Sequence, residues 1–147
     1  DDDDERPAFA AFSALSSPFI EEDNAGFLRE DALLIIVAIT DEDEETFADT
    51  ITAREVYDNL ISLKSNPKDV VFLGIGGSRN CWEDGPDGTS TGTYGGALFA
   101  DNLKRITDLF VEENDQRGVF WDLCTGRLED GIAEALEVIQ RSCIVVD

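Results

Sequence analysis

The stretch LLIIVAI, residues 33–39, decides the fold because it is an unbroken apolar run rich in β-branched residues. Such a run is typical of a strand that is buried on both faces of a parallel sheet. A second run of this kind, VVFLGI, occupies residues 70–75, and the segment GVFWDL at residues 118–123 predicts a third, shorter strand. The sequence therefore predicts three strands, of which the first two are buried.

Segments with helical spacing of apolar residues alternate with these strands. The apolar positions are Phe9, Phe12 and Leu15; Val56, Tyr57, Leu60 and Ile61; Leu103, Ile106, Leu109 and Phe110; and Leu128, Ile132, Ala135, Leu136, Ile139 and Cys143. The predicted order is α-β-α-β-α-β-α, followed by an apolar end at residues 144–146. This alternation indicates an α/β fold with a doubly wound, mainly parallel sheet and helices on both faces.

The charge of the chain restricts its partners. The 147 residues carry a net charge of −22 and include no histidine. Such a chain repels nucleic acid and anionic membranes, and no apolar segment reaches the roughly 18 residues of a membrane helix.

Without histidine or a CxxC pair, a bound metal would be a hard cation held by oxygen, such as Mg²⁺ or Ca²⁺. Much of the acidic excess also has a simpler interpretation as a solvated surface.

The acidic segment TDEDEE, residues 40–45, is the strongest candidate site because it directly follows the first strand. Ligands of open α/β sheets bind at the carboxyl ends of the strands. Carboxylates crowded in this way predict a cation site, and the alternative is a solvated acidic turn. An EF-hand is excluded, since Thr46 and Thr52 stand where that loop needs Gly and Glu.

Two other segments carry weaker signals. Residues 74–78, GIGGS, suggest a phosphate loop, but no Lys-Ser/Thr pair follows, and a strand-exit turn explains the glycines better. The turn-forming residues at 83–89 predict a surface loop, and a second cation site there is the weaker interpretation. We expect Trp121 in the core and Trp82 as an exposed contact.

Two segments resemble the C-terminal part of von Willebrand factor type A domains from secreted proteins and lipoproteins of Gram-negative bacteria. The first is NAGFLREDALL, residues 24–34, running into ITDED, residues 39–43. The second is WDLC, residues 121–124, followed by the helix from Leu128 to Cys143. The resemblance implies a Rossmann-like fold and one domain fragment over residues 1–147, with an inserted loop at about 76–97.

The resemblance also implies a metal-ion-dependent adhesion site. Its aspartate maps onto Asp41, with Thr40 beside it and Asp43 nearby as a further ligand. The DxSxS loop of these domains is absent, and so is their first strand. Without that strand the run at residues 33–39 would be an edge with unpaired amides and exposed apolar side chains. We therefore expect an N-terminal segment, from the same polypeptide or a separate chain, to complete the sheet, and the abrupt start at Asp1 suggests a longer precursor.

A secreted or cell-surface location follows from the resemblance, and secreted proteins use cysteine pairs as disulfide bridges. Cys124 and Cys143 flank the last helix, which predicts a disulfide between them. The alternative is two reduced thiols. Cys81 then pairs outside this chain or stays free.

Three functional hypotheses follow. The leading one is a non-enzymatic binding module that recognises a protein or surface ligand with the help of a divalent cation. The second is a structural or assembly subunit of an extracellular or cell-surface complex without a working metal site. The third is a carboxylate hydrolase that uses Asp41 with Asp43 or Glu42; it is disfavoured because these residues are neighbours on one loop.

Overall fold

The structure, a computed structural model, describes residues 5–44, 51–79, 81 and 97–144. The helices are α1 (Pro7–Ala14), α2 (Ala53–Ile61), α3 (Asp101–Glu112) and α4 (Leu128–Ile144), and the strands are β1 (Leu34–Ile39), β2 (Val70–Gly76) and β3 (Gly118–Asp122). Short 3₁₀ turns lie at Phe19–Glu21, Pro67–Asp69 and Leu123–Thr125. The predicted order of elements is confirmed.

The three strands form one parallel sheet in the order β1-β2-β3. Phe72 in the middle of β2 pairs with Ile36 of β1 on one side and with Gly118 of β3 on the other. All residues of β2 are buried, because the strand has a neighbour on each edge and helices on each face. The fold is therefore α/β with a parallel sheet, compatible with a Rossmann-like arrangement.

Helices cover both faces of the sheet. On one face α1, α2 and α3 pack against Leu34, Ile36 and Phe72, and the Phe72 ring stacks on Phe110 of α3 at 5.2 Å between centroids. On the other face α4 packs against a second apolar cluster through Ala135 and Val138. The prediction of helices on both faces is confirmed.

The prediction that the first strand is buried on both faces is wrong. Alternate residues of β1 face α1 and are buried, but Ile35, Val37 and Ile39 are 44%, 52% and 56% exposed. The reason is that β1 is an edge strand and that α4 lies over β2 and β3. The expectation that this strand would be an edge with exposed apolar side chains is confirmed.

The predicted disulfide between Cys124 and Cys143 is wrong. The bond joins Cys81 to Cys124, and Cys143 is an exposed free thiol. Cys81 follows β2 and Cys124 follows β3, so both lie at the carboxyl edge of the sheet. Cys143 stands near the end of α4, which at 1.5 Å per residue carries it roughly 20 Å away.

The predicted inserted loop lies partly outside the described residues. Of the interval at about 76–97, the structure describes 76–79, 81 and 97, and Gly77 forms a parallel bridge with Phe99. The predictions for Trp82 and for residues 83–89 lie outside the described part, as do Asp1–Asp4 and residues 145–147. Trp121 is half-buried against α4, with its indole N–H donated to the Gly126 carbonyl at 2.9 Å.

Within the described residues, none of the helices has the length and apolar character needed to cross a bilayer.

Candidate functional site

The candidate site is the carboxyl edge of the sheet, where the three strands end side by side. Residues Thr40–Glu44 follow β1, Ser78 and Arg79 follow β2, and Asp122 closes β3. The predicted acidic segment therefore lies at the edge where α/β sheets bind ligands. Of this segment the structure describes residues 40–44.

Asp43 caps helix α3 from outside. Its carboxylate accepts the backbone N–H of Asn102 at 2.8 Å and that of Leu103 at 3.2 Å, and also the Asn102 side-chain amide at 2.9 Å. The residue before the helix, Ala100, supplies no side-chain cap. Asp43 thus replaces the missing cap, and its negative charge lies at the positive end of the helix dipole.

Glu44 does the same for helix α1. Its carboxylate accepts the backbone N–H of Ala8 at 2.8 Å and of Phe9 at 2.9 Å, where Arg6 gives no cap and Pro7 has no N–H. The side chain is buried, and burial raises the pKa of the Glu44 carboxyl above its ordinary value. The two amide hydrogen bonds oppose that rise in pKa without cancelling it.

Thr40 and Asp41 have opposite environments. Thr40 is buried, its hydroxyl donates to the Glu5 carboxylate, and the same oxygen accepts the Glu42 N–H at 3.1 Å. The Asp41 carboxylate is exposed, whereas its backbone carbonyl accepts the Leu98 N–H at 2.8 Å. Asp41 therefore presents a carboxylate to solvent from a fixed backbone position.

Asp122 is a site residue that sequence reasoning missed. One carboxylate oxygen accepts the N–H of Ser78 at 3.0 Å and of Cys124 at 2.9 Å, and the other lies 3.3 Å from the Arg79 guanidinium. These bonds tie the loop after β2 to the turn after β3. The sequence feature that could have identified Asp122 is an Asp at the end of a predicted strand, where its side chain can accept the backbone N–H two residues later in an Asx turn.

The structure brings Thr40, Asp41 and Asp43 to one edge but gives them different partners. Asp43 is held by α3 and Thr40 by Glu5, so Asp41 is the predicted metal ligand with an exposed side chain. Across residues 5–44, 51–79, 81 and 97–144, no three His, Cys, Asp or Glu side chains form a group that could hold a metal ion. The geometry shows a loop that caps two helices.

An apolar groove adjoins this edge on the face that α4 covers. It has a volume of about 190 Å³ and separates the exposed side chains of β1 from Ile132 and Leu136 of α4, which are 46% and 49% exposed. Every residue of its lining is apolar: Ile35, Val37, Ile39, Val71, Leu73, Ile75, Leu128, Ile132, Ala135, Leu136 and Ile139. The groove is thus an uncovered apolar strip between β1 and α4.

Comparison of the chain with protein-family models, with curated proteins and with solved structures found no match.

Proposed function

We propose that this chain is part of a larger, non-enzymatic α/β binding domain, whose sheet is completed by a strand from a segment upstream of α1. The observation that carries the proposal is the row of exposed apolar side chains Ile35, Val37 and Ile39 on an edge strand. Parallel sheets are normally covered on both faces, and an open apolar edge favours aggregation unless another strand pairs with it.

The backbone of β1 has the hydrogen-bonding groups for such a partner. The Thr40 N–H is donated to the Ile75 carbonyl of β2, so by alternation the amides of residues 36 and 38 also point toward β2. The amides of Ile35, Val37 and Ile39 point the other way, toward the free edge. The same three residues supply the exposed side chains, so one added strand would pair these amides, and a further helix on the same face as α4 would fill the groove.

The position of α1 favours a strand from the same polypeptide. The first turn of α1 lies at the carboxyl edge of the sheet, since Glu44 caps it there and Glu5 bonds to Thr40. A strand parallel to β1 ends at that same edge, and a helix that starts there and returns along the sheet is the crossover of a βαβ unit. A second copy of this chain is disfavoured by repulsion between two net charges of −22.

The resemblance to the C-terminal part of von Willebrand factor type A domains supports the same proposal, because those domains place further strands beyond the one matching β1. A secreted or cell-surface location is supported by the disulfide, which persists in oxidising compartments.

Hydrogen exchange tests the proposal. In a polypeptide extended upstream of Asp1, the amides of Ile35, Val37 and Ile39 are expected to exchange at least about 100-fold more slowly than in the 147-residue chain. Equal exchange in the two polypeptides would refute sheet completion. If exchange slows only at high protein concentration, a second copy of the chain pairs with this edge. If it slows only when another protein is added, a separate chain does. Either result would overturn the proposal that the added strand comes from the same polypeptide.

Variants add a matched control. Val37→Lys places a charge in the proposed junction, whereas Val111→Lys changes an exposed valine on α3. In the extended polypeptide Val37→Lys should lower the melting temperature clearly more than Val111→Lys does. Equal effects of the two variants would contradict the proposed junction.

A second candidate function is cation-assisted ligand recognition through Asp41. It rests on the exposure of this carboxylate at the carboxyl edge, beside the strand that we propose to be paired. Mg²⁺ or Ca²⁺ bound there by the native state would raise the melting temperature of the extended polypeptide, and Asp41→Asn would abolish the rise. An equal rise in Asp41→Asn would mean that the cations act elsewhere on the acidic surface.

A further inference from the structure

A second cavity lies at the opposite, amino edge of the sheet and is lined by two arginines. It has a volume of about 280 Å³, and its wall includes Arg117 at the start of β3 and Arg141 near the end of α4. The chain has 11 basic residues in total against 33 acidic ones. Two guanidinium groups at one cavity are therefore a local reversal of the overall charge.

Arg117 is a buried side chain with an unpaired donor. The residue is 5% exposed, and its Nη1 has no hydrogen-bond partner among the described residues. Buried polar groups are nearly always hydrogen-bonded, and a buried donor left without a partner carries an uncompensated desolvation cost. The side chain lines the cavity, so a group entering there could accept from it.

The backbone holds Arg117 in this buried position. Its N–H is donated to the carbonyls of Phe110 and Asn114 at 3.1 Å each, and its carbonyl accepts the Phe72 N–H at 2.9 Å. The Asn114 side chain is itself buried and donates to the Pro67 carbonyl at 3.0 Å. Arg117 is thus fixed between α3 and β2 by bonds that do not involve its guanidinium.

The turn that leads into Arg117 is strained. Asp115 and Gln116 have φ values of +55° and +57°, in the left-handed region that residues other than glycine rarely adopt. Strain of this kind persists where the surroundings enforce it, and it is frequent at ligand sites. Asp115 also lines the cavity, but its carboxylate is exposed and pairs with Lys68 at 3.2 Å.

We infer that this cavity binds a small doubly charged oxyanion, inorganic phosphate or a phosphate monoester, through Arg117 and Arg141. Guanidinium groups match phosphate oxygens in geometry and charge. Arg141 is exposed and makes no ion pair within the described part of the chain, so both cationic side chains are available. A dianion balances two guanidinium charges, whereas a monocarboxylate balances one.

Calorimetric titration of the 147-residue chain with inorganic phosphate at constant ionic strength tests this inference. We expect saturable binding, together with a shift of the Arg117 side-chain Nε–H resonance. Arg117→Met should abolish the binding, and Arg141→Gln should weaken it about tenfold or more. No saturable binding by the unaltered chain would overturn the inference.

Arg105→Gln is the matched control, because it also removes one positive charge but from an exposed pair with Glu112 on α3. It should leave phosphate affinity within about twofold of the unaltered chain. An equal loss in Arg105→Gln and Arg141→Gln would mean that net charge alone governs binding, against the inferred site. Because Arg117→Met removes a buried donor that has no partner, its melting temperature without phosphate should not fall. If this variant fails to fold, Arg141→Gln alone decides.

Two further titrations, with glycerol phosphate and with acetate, define the ligand class. Glycerol phosphate should bind if the cavity admits a monoester, and inorganic phosphate alone should bind if it admits only the free ion. Acetate should bind at least about tenfold more weakly than phosphate. Acetate that binds as well as phosphate would overturn the assignment to a dianion.

Discussion

Two adjacent carboxylates of the acidic loop serve two different helices. Asp43 accepts amides of α3 and Glu44 accepts amides of α1, and neither helix has a side-chain cap from the residue before it. Each helix therefore receives its cap from a residue at least 35 positions away in sequence. At this scale the loop has a structural role that is independent of any bound cation.

The buried Glu44 carboxyl makes stability depend on pH. Its pKa in the folded protein is raised above the ordinary value of 4.5, chiefly by burial. The folded state therefore keeps the proton to higher pH than the unfolded chain does, and the contribution of Glu44 to stability is full below pH 4.5 and is lost as pH rises through the folded pKa. We predict that Glu44→Gln flattens the fall in the free energy of unfolding between pH 4.5 and neutral pH.

Urea unfolding at a series of pH values measures this effect. Glu42→Gln is the control, because Glu42 is an exposed neighbour and its replacement removes the same charge. The same pH profile for both variants would show that general acidic repulsion, rather than Glu44, sets the slope.

Asp43 offers a second prediction at the residue scale. Asp43→Ala removes the acceptor for the first amides of α3 and should lower the free energy of unfolding by about 1–2 kcal/mol. Asp41→Ala removes an exposed carboxylate from the same loop and should change it by less than about 0.5 kcal/mol. Chemical denaturation compares the two, and an equal loss would contradict the capping role of Asp43.

At the scale of elements, the disulfide joins the segment after β2 to the turn after β3. Cys81 and Cys124 are 43 positions apart, and their contacts include a hydrogen bond from the Cys81 N–H to the Ala97 carbonyl at 2.9 Å. The disulfide and the hydrogen bonds of Asp122 together hold the ends of β2 and β3 at the carboxyl edge. This part of the edge is therefore crosslinked, in contrast to the open β1 side.

Replacing both Cys81 and Cys124 with Ser should lower the free energy of unfolding by about 4 kcal/mol, because the unfolded chain regains the conformational entropy that a crosslink across 43 positions removes. Cys143→Ser should have little effect, because that thiol is free and exposed. Thermal unfolding of the variants gives the comparison, and peptide mapping without reductant identifies the pair directly. A crosslink found between Cys124 and Cys143 would contradict the observed pairing.

At the scale of the whole molecule, the negative net charge destabilises the folded state. A charge of −22 on 147 residues repels itself, and salt screens this repulsion over a Debye length that falls from about 30 Å to about 8 Å between 0.01 and 0.15 M. We predict that NaCl over this range raises the melting temperature. A melting temperature that falls or stays constant would show that repulsion among the acidic side chains does not limit the stability of the fold.

The sequence alone was sufficient for the order of the elements and the parallel sheet with helices on both faces. Apolar runs and helical spacing are patterns within short stretches of sequence, so they identify strands and helices directly. Strands that alternate with helices can form few sheet topologies other than a parallel one. The exposed apolar side chains at β1 agree with the expectation that the run at residues 33–39 forms an edge strand.

Only the tertiary structure decided the partner of each polar group. The sequence placed Thr40, Asp41 and Asp43 together, but Asp43 and Glu44 are held by helices that begin far from them in sequence. Likewise Cys124 bonds to Cys81 because β2 and β3 end side by side, whereas α4 carries Cys143 to the other edge. A hydrogen bond or disulfide needs atoms within a few ångströms, and that proximity is set by which elements end at the same edge of the sheet.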